Sequence, residues 1–290
     1  MFKAVVNMRK KMSKTLIGES SWDSECFELC LGTLHSSYLH NDFFISSNKN
    51  NTKLINRILV TIKSAFVSLK AIYRNDELYF SSLNFEVLIV AYFMRWYGNA
   101  YIFLPNTIGN PSSYNKIFNK VMEAYKGKIY VSDTVTISTL EVFSASLPQK
   151  AFDFNLPNRD NLKDIKYVVA FPAALSHKAT GKESDKHYLF SQQIVDTLSG
   201  YGLEVYILPH PRDREYICDE FYGKETISSD DIKDLGDNVC YVSACSSLSL
   251  NRRYGGEYGC WVSIDGIDSL PESLAVKKQD LVDISYFENR

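Results

Sequence analysis

The sequence predicts an α/β protein built from two Rossmann-like, doubly wound domains. Strand and helix patterns alternate along the chain, and this alternation fades once, in a polar stretch near the middle. Polar residues also follow several strand patterns at their carboxyl ends. Strands that alternate with helices favour a mostly parallel sheet. A chain of 290 residues is long enough for two such domains.

The first half is expected to form the first α/β domain. Short apolar runs predict strands at residues 15–17, 42–46, 78–80, 100–104 and 128–131. Helices are predicted at residues 24–33, 51–73 and 85–97, and from Ser112 or Ser113 to Tyr125. A serine oxygen can cap the start of that last helix, and Gly127 is a typical stop signal just after its end.

The most apolar window, residues 85–104, is about as long as a membrane-spanning helix. Glu86, Arg95 and Asn99 interrupt it, and Gly98-Asn99 is a turn signal. The window is therefore interpreted as a buried helix followed by a strand.

A polar connector is predicted between two domains. Residues 148–165 carry Pro157, several asparagines and several charges, which is typical of a linker. We expect domain boundaries at 1–147 and 166–290, with the last helix a candidate to pack back on the first domain. In the second domain we predict strands at residues 167–171, 204–208, 239–242 and 260–264, a helix at 184–199, a further strand and helix around 224–235, and a helix that opens near Ser246.

Residues suited to ligand binding follow three of these strands. His210-Pro211 follows one strand, Ser246-Ser247 follows another, and Pro172-Ala173 follows the first strand of the domain. Ligands of open α/β sheets bind just outside the carboxyl ends of the strands. The sequence has neither a P-loop nor a G-x-G-x-x-G fingerprint, so ATP hydrolysis and dinucleotide chemistry have no local support.

Composition excludes some classes of partner and site. The chain has 32 basic and 34 acidic residues, which argues against a nucleic-acid partner. Six cysteines without a C-x-x-C pair are interpreted as reduced cytosolic thiols. Cys26 and Cys30, four apart on a predicted helix, are interpreted as half-buried structural residues rather than half of a metal site.

The first residues carry a cluster of cations: Lys3, Arg9, Lys10, Lys11 and Lys14. They are not followed by the apolar region that a signal peptide needs, so a cytoplasmic location is expected. Two interpretations stay open. The segment is either a solvated leader or a weak peripheral contact with the anionic inner membrane.

An acidic residue at the end of the last strand of the first domain, the His-Pro pair and the Ser-Ser pair occur in an order that resembles bacterial sialyltransferases of the capsular polysialyltransferase and lipooligosaccharide sialyltransferase type. The resemblance covers about residues 128–250. It implies a GT-B fold, in which the two Rossmann-like domains face a central cleft. The family's acidic motif has two acids followed by glycine, whereas this chain has Ser132-Asp133-Thr134 and keeps one carboxylate.

The resemblance implies a role for each residue of this set. Asp133 corresponds to the catalytic base and His210 to the group that contacts or protonates the CMP phosphate. Pro211, Ser246, Ser247, Pro172 and Ala173 correspond to the donor site. Ordinary structural roles remain open for the three polar types: a turn residue for Asp133, a core histidine for His210, and helix caps for the serines.

The function implied is that of an inverting, metal-independent transferase that needs no cofactor. It moves sialic acid from CMP-sialic acid to a hydroxyl of a bacterial surface glycan, which is an O-antigen, lipooligosaccharide or capsule whose acceptor can be lipid-linked. One alternative is a GT-B transferase that uses CMP-Kdo or another nucleotide sugar. Another is a non-catalytic relative that binds nucleotide or glycan, which the incomplete acidic motif favours.

Overall fold

The structure is a computed structural model. It describes residues 12–40, 50–105, 116–133, 136–137, 140–149, 159–171, 185–210, 225–228, 231–243, 258–263 and 276–277. The chain divides into two compact units whose main boundary lies between Ala151 and Phe152. The first unit holds most of the residues before that boundary, and the second holds Phe152–Arg290 together with Asp133.

The first unit is built on a parallel sheet. Its strands are β1 (Lys14–Gly18), β2 (Ser36–Leu39), β3 (Glu77–Phe80), β4 (Ala100–Leu104), β5 (Ile129–Val131) and β6 (Ala145–Ser146). They lie in the order β2-β1-β3-β4-β5-β6, and every pairing is parallel. The chain therefore runs from β1 to one side and then returns to build the other side from β3 onward.

Helices connect these strands, as a parallel sheet requires. They are α1 (Ser21–Leu31), α2 (Asn50–Tyr73), α3 (Phe85–Met94) and α4 (Lys116–Ala124). The apolar window at residues 85–104 forms a helix and a separate strand, which confirms that interpretation. No helix in the described ranges is long and apolar enough to cross a membrane.

The sequence pattern does not predict the second strand of this sheet. The strand that pairs with β1 at the end of the sheet is Ser36–Leu39, whereas the strand predicted at residues 42–46 lies entirely outside the described residues and stays a prediction. β2 is an edge strand whose residues are only half-buried or exposed. An edge strand needs no apolar run to fill a core, so the polar Ser36-Ser37 start gave no strand signal.

The core of the first unit is rich in aromatic rings. Phe27 of α1 packs edge-on against Tyr79, with ring centroids 4.7 Å apart, and against Phe103 at 5.2 Å. Tyr79 also stacks on Tyr101 of the neighbouring strand at 5.1 Å. Phe27 thus packs on rings of the central strands β3 and β4, whose burial on both faces is typical of parallel sheets.

The second unit repeats this architecture. Its strands are β7 (Lys166–Ala170), β8 (Glu204–Leu208), β9 (Val239–Ser243), β10 (Tyr258–Ser263) and β11 (Val276–Lys277), in the order β11-β10-β9-β7-β8. Every pairing is again parallel. Helix α5 (Asp185–Gly200) connects β7 to β8, and Gly202 follows it with φ +71°.

Both faces of the second sheet are covered. On one face Val169 and Phe171 pack with Ile194 and Leu198 of α5. On the other face Val168 and Tyr241 pack with Ile232 of a short 3₁₀ helix, Asp231–Leu235. Residues that alternate along β7 thus serve opposite layers, as expected for a sheet buried on both sides.

Two segments differ from the prediction: residues 224–235 and the predicted linker. Between 224 and 235 the described residues form an isolated bridge from Thr226 to Ile207 and the 3₁₀ helix, instead of a full strand and helix. Ser228 and Asp231 exchange side-chain and backbone hydrogen bonds of 2.7 and 3.4 Å, which close a tight turn there. Within residues 148–165, Arg159–Asp164 is also a 3₁₀ helix and Leu162 is buried.

The predicted fold class is confirmed for the described part of the chain. It is α/β, with two Rossmann-like parallel sheets that are each doubly wound. The domain limits 1–147, 148–165 and 166–290 stay a prediction.

Candidate functional site

The strand order identifies where each sheet is suited to hold a ligand. In each unit the first strand lies between the second and the third, so β1 neighbours β3 and β7 neighbours β9. The connections from these neighbours leave in opposite directions, which opens a crevice outside their carboxyl ends. Each sheet therefore has one such position, and we treat the two positions separately as the first edge and the second edge.

The first edge comprises five residues at the carboxyl ends of β1, β2 and β3: Gly18, which ends β1, Asp23 in the first turn of α1, His40 after β2, and Ser81 and Ser82 after β3. The Ser81 hydroxyl donates a hydrogen bond of 2.9 Å to Oδ2 of Asp23, and the backbone N–H of Glu19 donates to the same oxygen. This oxygen therefore ties the loop after β1 to the end of β3.

Gly18 is required by this close approach. A Cβ atom at position 18 would lie 2.8 Å from the Ser81 hydroxyl oxygen and 2.9 Å from Oδ2 of Asp23. Real Cβ atoms do not approach other atoms so closely, so any side chain would push the two partners apart. The glycine is explained by packing here.

Burial controls the charge of Asp23. Only 2% of this residue is exposed, and burial raises the pKa of its carboxyl from 3.8 to about 6, since desolvation disfavours the charged form. The hydrogen bonds from Glu19 and Ser81 act in the opposite direction but are smaller effects. Asp23 therefore changes charge close to neutral pH.

His40 forms a second buried pair at the same edge. Its Nε2 lies 2.9 Å from the Ser82 hydroxyl, and its backbone N–H donates to the Gly18 carbonyl. Burial lowers the pKa of His40, while the carboxylate of Glu86 acts to raise it. Glu86 itself pairs with Arg57 of α2. The histidine is thus held in its neutral form in a polar but closed environment.

Asp133, the predicted base, lies two residues beyond the end of β5. The preceding Ser132 donates a hydrogen bond of 3.0 Å to the carbonyl of Pro105, which links the ends of β4 and β5. Asp133 is buried, with 1% of its surface exposed. Its catalytic role stays a prediction.

The second edge lies at the carboxyl ends of β7, β8 and β9. Its described residues are Phe171 after β7, Pro209 and His210 after β8, and Ser243, the last residue of β9. The register aligns Ala170 with Leu208 and Val169 with Val242, so these three strands end at nearly the same level. The Phe171 N–H donates to the Leu208 carbonyl at 2.9 Å. The residues that leave the three strands therefore start out side by side.

His210 is half-buried at this edge, two residues beyond the end of β8, and Pro209 before it is buried. Ser243, the last residue of β9, is fully buried. The other predicted donor residues lie outside the described residues: Pro172, Ala173, Pro211, Ser246 and Ser247.

The structure adds residues that the sequence pattern did not reveal. Asp23, His40 and Ser81 were not predicted as site residues, because each becomes informative only when β1, β2 and β3 are placed side by side. One signal was present: Gly18 ends an apolar strand and is followed closely by a helix that carries Asp23 in its first turn. The pattern predicts the start of that helix at residue 24, three residues after its observed start at Ser21.

The described residues include no group of three or more His, Cys, Asp or Glu side chains that could hold a metal ion. Cys26 and Cys30 are buried, not half-buried, and neither forms a disulfide. The Cys26 thiol lies 3.6 Å from the carbonyl of Pro105. Both are structural residues of α1. Independence from metal and cofactor stays a prediction.

Comparisons with known proteins give distant structural neighbours only. The sequence matches no protein-family model and no curated protein. One similar solved structure is the UDP-GlcNAc 2-epimerase of Methanocaldococcus jannaschii in complex with UDP-GlcNAc and UDP, with a TM-score of 0.49, 10% identity, and coverage of 96% of this chain and 93% of that chain. Another is the spinosyn rhamnosyltransferase SpnG complexed with spinosyn aglycone, with a TM-score of 0.37, 10% identity, and coverage of 86% and 79%.

Proposed function

We propose that this chain is a glycosyltransferase that moves sialic acid from CMP-sialic acid to a hydroxyl of a bacterial surface glycan, without a metal or cofactor. The strand order of the second sheet carries the proposal. β7 and β9 flank the crevice position, and they are the strands followed by Pro172-Ala173 and by Ser246-Ser247. The strand followed by His210-Pro211 is the other neighbour of β7. Three separate sequence signals thus come from three adjacent strands.

The residue types suit a nucleotide phosphate. Serine hydroxyls and the amides at a helix start donate hydrogen bonds to anions, and a histidine can supply a proton near neutral pH. Residues of the small size of Pro172 and Ala173 are suited to a position where a ligand approaches the backbone. None of these features requires a metal ion.

The proposed reaction is a single displacement. The acceptor hydroxyl oxygen attacks the anomeric carbon of sialic acid, while the bond from that carbon to the CMP phosphate oxygen breaks and CMP leaves with its electron pair. The hydroxyl proton passes to a carboxylate, for which we propose Asp133, and His210 stabilises or protonates the departing phosphate. Attack from the face opposite the leaving group inverts the anomeric centre.

A nucleotide panel tests the donor class. Calorimetric titration of the full chain with CMP, UDP and GDP is expected to show binding of CMP alone. Tight UDP binding without CMP binding would contradict the proposal. Product analysis with CMP-sialic acid and with CMP-Kdo then distinguishes the two sugars, and transfer of Kdo alone would replace sialic acid as the donor.

Asp133→Asn tests the base. The substitution keeps the shape of the side chain, so turnover of CMP-sialic acid should fall by roughly 10²-fold or more while CMP affinity is retained. Asp76→Asn is the matched control, because Asp76 is also buried but precedes β3 at the opposite end of the sheet. Full turnover in Asp133→Asn would remove this residue from the mechanism.

A further inference from the structure

Helix α2 packs in an unusual orientation. Its buried residues are small or polar, namely Val60, Ser64, Ser68 and Ala71, which recur every three or four residues and so form one face. This face packs against α3 and the sheet strands β1 and β3. The Ser68 hydroxyl donates a hydrogen bond of 2.8 Å to the Ser64 carbonyl, so its hydrogen-bond partner lies within the same helix.

Eight of the large apolar residues of α2 lie on its exposed side. They are between 38% and 92% exposed and define the apolar stripe: Leu54, Ile55, Ile58, Leu59, Ile62, Phe66, Leu69 and Tyr73. Ordinary surface helices of soluble proteins place such residues toward the core and polar residues outward. A contiguous exposed apolar surface of this kind marks an interaction site.

The stripe runs along a helix of 24 residues, which corresponds to about 36 Å at 1.5 Å per residue. Helix α3, which packs against α2, also exposes Phe85 and Phe93, at 45% and 64%, and the turn directly after α3 exposes Trp96 at 67%. Aromatic residues are enriched where proteins meet the membrane–water interface. The same pair of helices therefore presents both aliphatic and aromatic surface.

Charge identifies the kind of partner. Residues 50–73 contain four basic residues and no acidic residue. Lys63 and Lys70 are exposed on the solvent side of the helix. Two copies of this helix in contact would oppose like charges, whereas a surface with fixed negative charge would complement them.

We propose that the apolar stripe of α2 docks on the surface of an anionic phospholipid bilayer, with the helix parallel to the membrane plane. The apolar side chains enter the boundary between headgroups and acyl chains, and the lysines contact lipid phosphates. This pattern is typical of interfacial amphipathic helices. The basic charges within α2 are consistent with a helix that lies on the bilayer instead of crossing it. The inference does not depend on the sugar that the chain transfers.

Vesicle binding by the full chain tests the proposal. The unaltered protein should sediment with vesicles of phosphatidylcholine and phosphatidylglycerol, and less with phosphatidylcholine alone or at high salt. Ile62→Asp/Phe66→Asp places two carboxylates in the stripe and should weaken binding roughly tenfold or more. Lys63→Glu/Lys70→Glu should reduce binding to the anionic vesicles and leave any binding to neutral vesicles nearly unchanged.

The matched control is Val142→Asp, a similarly exposed apolar residue (67%) outside α2. It should bind vesicles as the unaltered protein does. All of these variants keep the basic residues of the amino terminus, so binding that persists in Ile62→Asp/Phe66→Asp assigns the contact to another segment and overturns the proposal. Failure of the unaltered chain to bind anionic vesicles also overturns it. So does light scattering that shows a dimer which this double variant converts to monomer, because a second copy then covers the stripe.

Discussion

The two sheets share the order of their first five strands but differ in the residues at their carboxyl ends. At the first edge, Asp23 pairs with Ser81 and His40 pairs with Ser82, all within a few per cent of full burial. At the second edge, His210 is half-buried at the end of a strand. The comparison teaches that topology selects the location of a site, while burial separates side chains that hold the fold from side chains that can meet a ligand.

The largest expected effect separates the two histidines. His210→Ala should lower turnover of CMP-sialic acid by about 10²- to 10⁴-fold, the range for loss of an acid–base group, with little change in unfolding. His40→Ala should instead lower the free energy of unfolding by about 1–3 kcal/mol, because it leaves a buried serine hydroxyl without this partner. The measurements are steady-state kinetics and urea unfolding on both variants.

The exposed His35, with the same substitution, is the control for His210. It should change neither quantity. Normal turnover in His210→Ala would reduce that residue to a structural role and would remove the difference between the two edges.

The next effect concerns the pH dependence of stability. Because the pKa of Asp23 is raised from 3.8 to about 6 in the folded state, its contribution to stability is complete below pH 3.8 and is lost as the pH rises through about 6. The shift corresponds to about 3 kcal/mol. His40 acts in the opposite direction, since its lowered pKa destabilises the folded state as the pH falls.

The substitution Asp23→Asn removes the ionisable carboxyl and so tests its share of the pH dependence. Unfolding by urea, measured between about pH 4 and pH 8, should show a smaller loss of stability with rising pH in the variant than in the unaltered chain. Identical pH profiles would mean that Asp23 ionises normally and that the first edge is more open than its geometry indicates.

A smaller effect tests the packing at Gly18. Gly18→Val should destabilise the first unit by about 1–3 kcal/mol, because the new side chain enters the space that Ser81 and Asp23 occupy. Gly98→Ala is the control, since no atom lies within 4 Å of the added carbon. Hydrogen exchange of α1 and β3 amides should rise in the first variant only, and unchanged exchange would contradict the close contact.

The smallest effect is expected at the ion pair of Arg57 with Glu86. Half of the Arg57 side chain is exposed, so solvent screens the pair, and Arg57→Gln should cost less than about 1 kcal/mol of unfolding free energy. A larger loss would show that the buried Glu86 carboxylate needs Arg57 as its partner. Arg57 would then also affect the electrostatic environment of His40 through Glu86.

The sequence predicted the elements well where the pattern is local. The strands Ala100–Leu104 and Glu204–Leu208 have the predicted bounds, and the helix Phe85–Met94 begins at the predicted residue. The edge strand Ser36–Leu39 was missed because it carries no apolar signal, and the strand predicted at residues 42–46 lies outside the described residues. Most of the residues predicted to bind the donor lie outside the described residues. The proposal for them therefore depends on the strands that precede them.

By itself, the sequence determined that the chain forms parallel α/β sheets, because periodicity and stop signals act over a few residues. It also placed His210 and Asp133 at strand ends. Only the tertiary structure decided which strands are neighbours, and therefore that Asp23 meets Ser81 across the ends of β1 and β3. It also decided that α2 turns its small face inward and its large apolar face outward. Contacts between distant segments control these outcomes, and a local pattern cannot encode them.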